Sequence, residues 1–179
     1  KNGNQCLDMN CLYRKGMKNA VNLLGAVMIV VSGFLLGLSG VRRLTKRERE
    51  LLELQKLMQR LKTGIQFSAR PLPELILENR DLSVCKNAAQ EEGMENDPHG
   101  ALEKVSASLL PEQKDFQLCR GFLTGLGTSD IEGQIEHITL YSALLEENLR
   151  EARTEREQKG RLYLALGLFG GITICLILL

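Results

Sequence analysis

Two apolar runs bracket an amphipathic middle. The first, Val21 to Val41, is 21 residues without a charge, and the second, Leu162 to Leu179, is 18. About 20 apolar residues in a helix cross a bilayer core, so each run predicts a membrane-spanning helix, the second of barely sufficient length. Between them the period changes. Leu51, Leu54, Met58, Leu61 and Ile65 recur at three- and four-residue steps, which stripes one face of a helix over 44–67. Arg70-Pro71-Leu72-Pro73 ends it, because proline supplies no helical N–H. Short helices are predicted over 74–79 and 82–92. Asp97-Pro98 reads as an N-cap and first helical residue of a helix over 98–109. Pro111 opens another, which stops near Gly125-Leu126-Gly127.

The best local signal is Thr128-Ser129-Asp130-Ile131-Glu132. Ser129 is predicted to cap with its hydroxyl and Glu132, three residues on, to close a capping box. Asp130 in the first turn suits the helix dipole. Ile131, Ile135, Ile138, Ser142, Leu145, Leu149 and Ala152 then keep a helical stripe, and no proline interrupts before the end. The expected fold is all-α: a soluble helical bundle between two transmembrane helices. Its long first and last helices are antiparallel, since both end at one membrane face. Residues 1–16 are expected to form a tail, disordered or upstream of the true start, with Met17-Lys18 a more natural beginning. Anchor 1 takes 17–43, the bundle 44–161 and anchor 2 162–179. Gly33 with Gly37, and Gly167 with Gly171, each form a GxxxG that lets membrane helices approach closely.

Composition agrees. Aromatics are 4% with no Trp, which disfavours an all-β fold. The net charge of +1 hides an asymmetry, for 42–161 holds 19 Lys/Arg against 21 Asp/Glu. The basic excess lies beside the apolar runs and forms no broad face for nucleic acid. A cleavable signal peptide competes for the first run, with Gly37-Leu38-Ser39 as a weak cleavage site. Against it, Arg42, Arg43, Lys46, Arg47 and Arg49 follow at once and resist translocation. Arg150, Arg153, Arg156, Lys159 and Arg161 precede the second run. The positive-inside rule, read most directly from Arg42, Arg43, Lys159 and Arg161, puts the central domain in the cytoplasm and both termini outside.

The five cysteines are odd in number and fit no metal spacing. Cys85 and Cys119 read as small core residues in a reducing compartment, Cys6 and Cys11 lie in the tail, and Cys175 lies in an apolar run. No nucleotide loop, HExxH or nucleophile elbow occurs. His99 and His137 stand alone, His137 as a polar residue on a helix surface. The chain reads as no enzyme, with no cofactor and no metal.

At Leu126-Gly-Thr-Ser-Asp130, followed by Gln134 and His137-Ile-Thr-Leu140, the chain resembles the stage III sporulation protein AB family. Leu23-Leu-Gly-Ala26, Arg42-Arg43-Leu44, Pro71-Leu-Pro-Glu-Leu75 and Arg161-Leu-Tyr163 with Gly167, Gly170 and Gly171 add to the likeness, which covers about Met17 to Leu179. The resemblance implies a subunit of the channel between mother cell and forespore, in the outer forespore membrane on the mother-cell side. It implies a helical domain similar to that of the type II secretion inner-membrane platform protein. Its partners would be a secretion-type ATPase, protein AA of the same operon, other membrane subunits and lipid, with no nucleic acid. Pro71, Pro73, Glu74, Ser129 and Asp130, at the end of the bundle far from the membrane, are the expected contact. The alternative is a membrane-anchored adaptor or sensor unrelated to secretion, which needs a pocket among the helices.

Overall fold

A computed structural model describes residues 3–68 and 70–178, with side chains from 25 onward apart from 26, 68, 175, 177 and 178. The described backbone is helical and contains no strand: α1 Gly3–Ser68, α2 Leu72–Glu78, α3 Ser83–Ala88, α4 Pro98–Leu109, α5 Gln113–Gly125 and α6 Ile131–Leu178. Residues 3–16, expected as a tail, have helical backbone continuous with α1. The helix expected over 82–92 stops at Ala88 and gives way to turns around Gly93, whose φ of 84° suits glycine. Cys6, Cys11 and Cys175 have their side chains outside the described residues.

The chain divides into two compact units, Lys1–Arg43 with Glu157–Leu179, and Leu44–Arg156. In the first, backbone meets backbone through glycine. A Cβ added at Gly33 would lie 2.6 Å from the Gly167 carbonyl oxygen, and one at Gly37 2.6 Å from that of Tyr163. One at Gly167 would lie 2.5 Å from the Gly33 oxygen, and one at Gly171 3.0 Å from the Val30 Cα. The distances at Gly33, Gly37 and Gly167 admit no side chain unless the backbone shifts. The large apolar residues face outward instead: Val27, Met28, Phe34, Leu35 and Leu36 on α1, and Leu162, Leu166, Phe169 and Leu176 on α6, are all exposed. Ser32, Ser39 and Thr173 turn their hydroxyls back to carbonyls of their own helix, which leaves no polar hydrogen to solvate.

The second unit inverts that pattern. Leu51, Leu54, Leu57, Met58 and Leu61 of α1 are buried, as are Ile138, Leu145, Leu149 and Ala152 of α6. Phe122 and Leu123 of α5, Leu102 and Val105 of α4, and Ile76 of α2 complete the core. Burying each large side chain is worth about 1.5–3 kcal/mol. Cys85 and Cys119 are fully buried, and burial pushes their thiols up to about 12 and about 11. Asp97 caps α4 by accepting from the Gly100 amide at 2.8 Å.

The cap of α6 differs from the expectation. Asp130, not Ser129, is the N-cap: its Oδ1 accepts from the Gly133 amide at 3.0 Å, and its carbonyl accepts from Gln134 N at 2.9 Å. The helix begins at Ile131, one residue later than a Ser129 cap requires. Glu132 therefore sits at the second helical position rather than the third, closes no capping box, and adds only charge to the first turn. Ser129 is held otherwise, with its hydroxyl accepting from Gln134 Nε2 at 3.0 Å.

Candidate functional site

The α1–α2 turn and the α5–α6 loop come together around a groove of about 320 Å³. Its walls are mostly apolar, with Ile65, Leu72, Leu75, Leu126 and Ile131 on its surface. Leu75 and Leu126 are buried and form the floor, whereas Ile131 is 52% exposed although it opens the α6 stripe. It lies beyond the core, at the lip. Pro71 and Ser129 both line the groove. Pro73 and Glu74 lie beyond Leu72 in the first turn of α2, and Asp130 caps α6 beside the lip.

Sequence reasoning missed what holds this place in shape. Gln134 is a buried amide with every partner supplied by the loop. Its Oε1 accepts from the Gly127 amide at 2.8 Å, and its Nε2 donates to the Gly125 carbonyl at 3.3 Å and to Ser129. A glutamine one helical step from Ile138 on the buried face was the available signal. Gly127 holds φ at 81°, a left-handed backbone that other residues adopt at a cost. His99, from the first turn of α4, sets Nδ1 at 3.1 Å from the Leu123 carbonyl. A carbonyl only accepts, so Nδ1 carries a proton, and Nε2 lies on the Gly127 side of the groove. The nearest atom to a Cβ at Gly127 would be that Nε2, at 4.0 Å.

His137 was expected as a surface residue and is instead half-buried. Its Nε2 meets the Phe122 carbonyl at 2.9 Å, and its ring lies 4.6 Å from that of Tyr141. Gly121 and Gly125 of α5 make room, since a Cβ at either would meet Tyr141 or His137 within 2.6 Å. The ring works in packing, and no group of three or more His, Cys, Asp or Glu able to hold a metal is found among the described residues.

Charge is organised inside the second unit as well. Arg47, counted from the sequence in a basic cluster, is 6% exposed and grips Asp115 of α5. Its Nε donates to Oδ2 at 2.7 Å, and a second nitrogen to Oδ1 at 3.3 Å. It also meets Glu155 of α6 at 2.6 Å. Asn148 donates to the same Asp115 Oδ1 at 2.9 Å. Burial works against the Arg47 charge, but the hydrogen bond and charge of Asp115, with Glu155, outweigh it and raise its pKa above the ordinary guanidinium value. Arg153 and Arg156 of α6 close on Glu48 at 3.3 and 2.6 Å. Arg47, Arg153 and Arg156 thus tie helices together, while Arg42, Arg43, Lys159 and Arg161 remain exposed. Glu50 is buried, and its Oε2 has no partner among the described residues. Burial, then the charge of Glu53, raises its pKa, against the opposing pull of Lys46 and Arg49.

Fold and site define an all-helical protein with a mostly apolar groove and, among the described residues, one helix stretch, Val27–Phe67, long and apolar enough to cross a membrane. The family model of stage III sporulation protein AB matches residues 22–179, and the chain belongs to that family. It is 24% identical over 175 residues to stage III sporulation protein AB of Bacillus subtilis (strain 168), covering 89% of this chain and 99% of that relative. No solved structure is a significant match. The family is one of sporulation proteins and not a known enzyme family.

Proposed function

We propose that this protein is a membrane-anchored platform that couples a secretion-type ATPase, stage III sporulation protein AA, to the membrane complex of the mother cell–forespore channel. In this reading both apolar runs span the outer forespore membrane, and the central domain lies in the mother-cell cytoplasm. The long helices run antiparallel. Support comes from the order of contacts, which falls along α6 as it rises along α1: Arg47 to Glu155, Met58 to Ser142, Lys62 to Thr139. The outward apolar residues around a glycine seam suit lipid, where helices associate by close packing. The exposed Arg42, Arg43, Lys159 and Arg161 suit the inner face.

The observation that carries the reading is the apolar groove itself, bounded by Pro71 and Ser129, with an exposed isoleucine at its lip. An exposed apolar hollow on a soluble domain marks a surface that is covered in use. The test is co-purification of the ATPase with this chain from detergent-treated sporulating cells. Wild-type chain should retain the ATPase and an Ile131→Asp variant should lose it. Equal recovery with both, or a deletion strain that completes spore formation normally, contradicts the proposal.

A further inference from the structure

Exposed carboxylates flank the groove on three sides, while α1, which supplies Ile65, and the residues just after it make its basic side, with Lys56, Arg60, Lys62 and Arg70 and no Asp or Glu between Glu53 and Glu74. No Lys or Arg occurs between Arg120 and Arg150, while Asp130, Glu132, Glu136, Glu146 and Glu147 lie there. None occurs in 71–79, which carries Glu74 and Glu78, nor in 87–103, which carries Glu91, Glu92, Glu95, Asp97 and Glu103. These three stretches supply the groove with Leu72 and Leu75, with His99, and with Leu126, Ser129 and Ile131. Glu74, Asp97, Asp130 and Glu132 are exposed. The one cation on the lining, Arg70, is engaged by Glu78 at 3.0 Å. The polar atom turned to the groove from α4 is the Nε2 of His99.

We infer that the groove takes an apolar side chain from a protein segment that flanks this anchor with lysine or arginine. The apolar walls fix the anchor, and the exposed carboxylates on the three acidic sides select the flanks. Like-charged segments are turned away by the same field, so these carboxylates act on choice of partner and on encounter rate more than on the strength of the seated contact. The inference rests on the reading of this end as the partner face, and adds the chemistry of what it receives.

Two labelled peptides test it on the full chain in detergent, each with a Leu-Phe centre, one flanked by lysines and one by glutamates. The lysine-flanked peptide should bind about tenfold more tightly at low salt, and the advantage should shrink as salt rises. Ile131→Gln, which leaves charge unchanged at a half-exposed site, should weaken that peptide about tenfold by taking away the lip. Glu132→Lys should erode the preference between peptides while leaving the buried Cys85 and Cys119 unreactive, which shows the fold intact. Equal binding of the two peptides, no binding of either, or binding indifferent to Ile131→Gln overturns the inference. Loss of ATPase co-purification alone would remove the ATPase as occupant and leave the peptide result standing. ATPase capture with equal peptide binding would overturn this inference and leave the ATPase reading standing.

Discussion

Asp115 is the residue whose loss should cost the bundle most. The Asp115→Ala variant strands the Arg47 guanidinium, which is 6% exposed, and takes an acceptor from Asn148. Glu155, itself part-exposed, still meets Arg47, but two hydrogen bonds from the guanidinium vanish. Breaking a buried ion pair from one side costs about 3–5 kcal/mol, because the remaining buried charge loses compensation. At about 1.4 kcal/mol per factor of ten, the opened population of α5 should rise by about two to four orders of magnitude. Cys119 reports that opening directly: it lies one turn beyond Asp115, fully buried, with its thiol on Ser106 Oγ at 3.4 Å. Alkylation of Cys119, followed by mass spectrometry on the full chain in detergent, should accelerate by that factor. The Arg47→Met/Asp115→Leu double variant should label far more slowly than Asp115→Ala, since apolar replacement of both partners is often neutral. The reasoning fails if Asp115→Ala labels at the wild-type rate, or if the double variant labels as fast as the single.

Other outcomes follow from the same contacts. Gly167→Leu puts a side chain where a Cβ would lie 2.5 Å from the Gly33 carbonyl. It should force the helices of that unit apart, at about 1–3 kcal/mol, and spin labels at the exposed Leu36 and Leu166 should show a longer, broader distance. Gln134→Leu leaves the Gly127 amide and Gly125 carbonyl without their side-chain partner; it should cost about 1–3 kcal/mol and speed proteolysis within 125–130. Gly127→Ala should destabilise the same loop by about 1–2 kcal/mol, because φ is 81° there. Glu50 has its folded pKa raised by burial, so the protonated form is the one the fold favours. Its contribution is fully present below its ordinary carboxylate range and is lost as pH rises through the raised folded value. Glu50→Gln should therefore stabilise the bundle at neutral pH, and the gain should vanish in acid. Equal gains at both pH values, measured by urea unfolding of the bundle, would count against this.

Most of the helices were legible from periodicity and punctuation. The stripe from Leu51 to Leu61 is buried as expected, α1 stops at Ser68 ahead of Pro71, and Asp97 caps another helix, because apolar spacing and proline chemistry act locally. The α6 cap shifted by one residue because Ser129 and Asp130 are both good caps. A glutamine four residues beyond Asp130 settled it by engaging the serine. The glycine pairs were visible as spacing, but spacing alone gives no partner, and only the folded unit shows which carbonyl each faces.

The sequence by itself determined that the chain is helical, that one stretch is apolar enough to cross a membrane, and where most of its helices break. These follow from the period of side-chain hydrophobicity and from residues acting on their own backbone. Only the tertiary structure decided that Arg47 is a buried tie to Asp115 rather than one more surface cation. It alone brought His99 and Ile131 to Pro71 and Ser129 around one groove. Such pairings link residues far apart in the chain, and no local rule fixes which of several charges or loops will meet when the core closes.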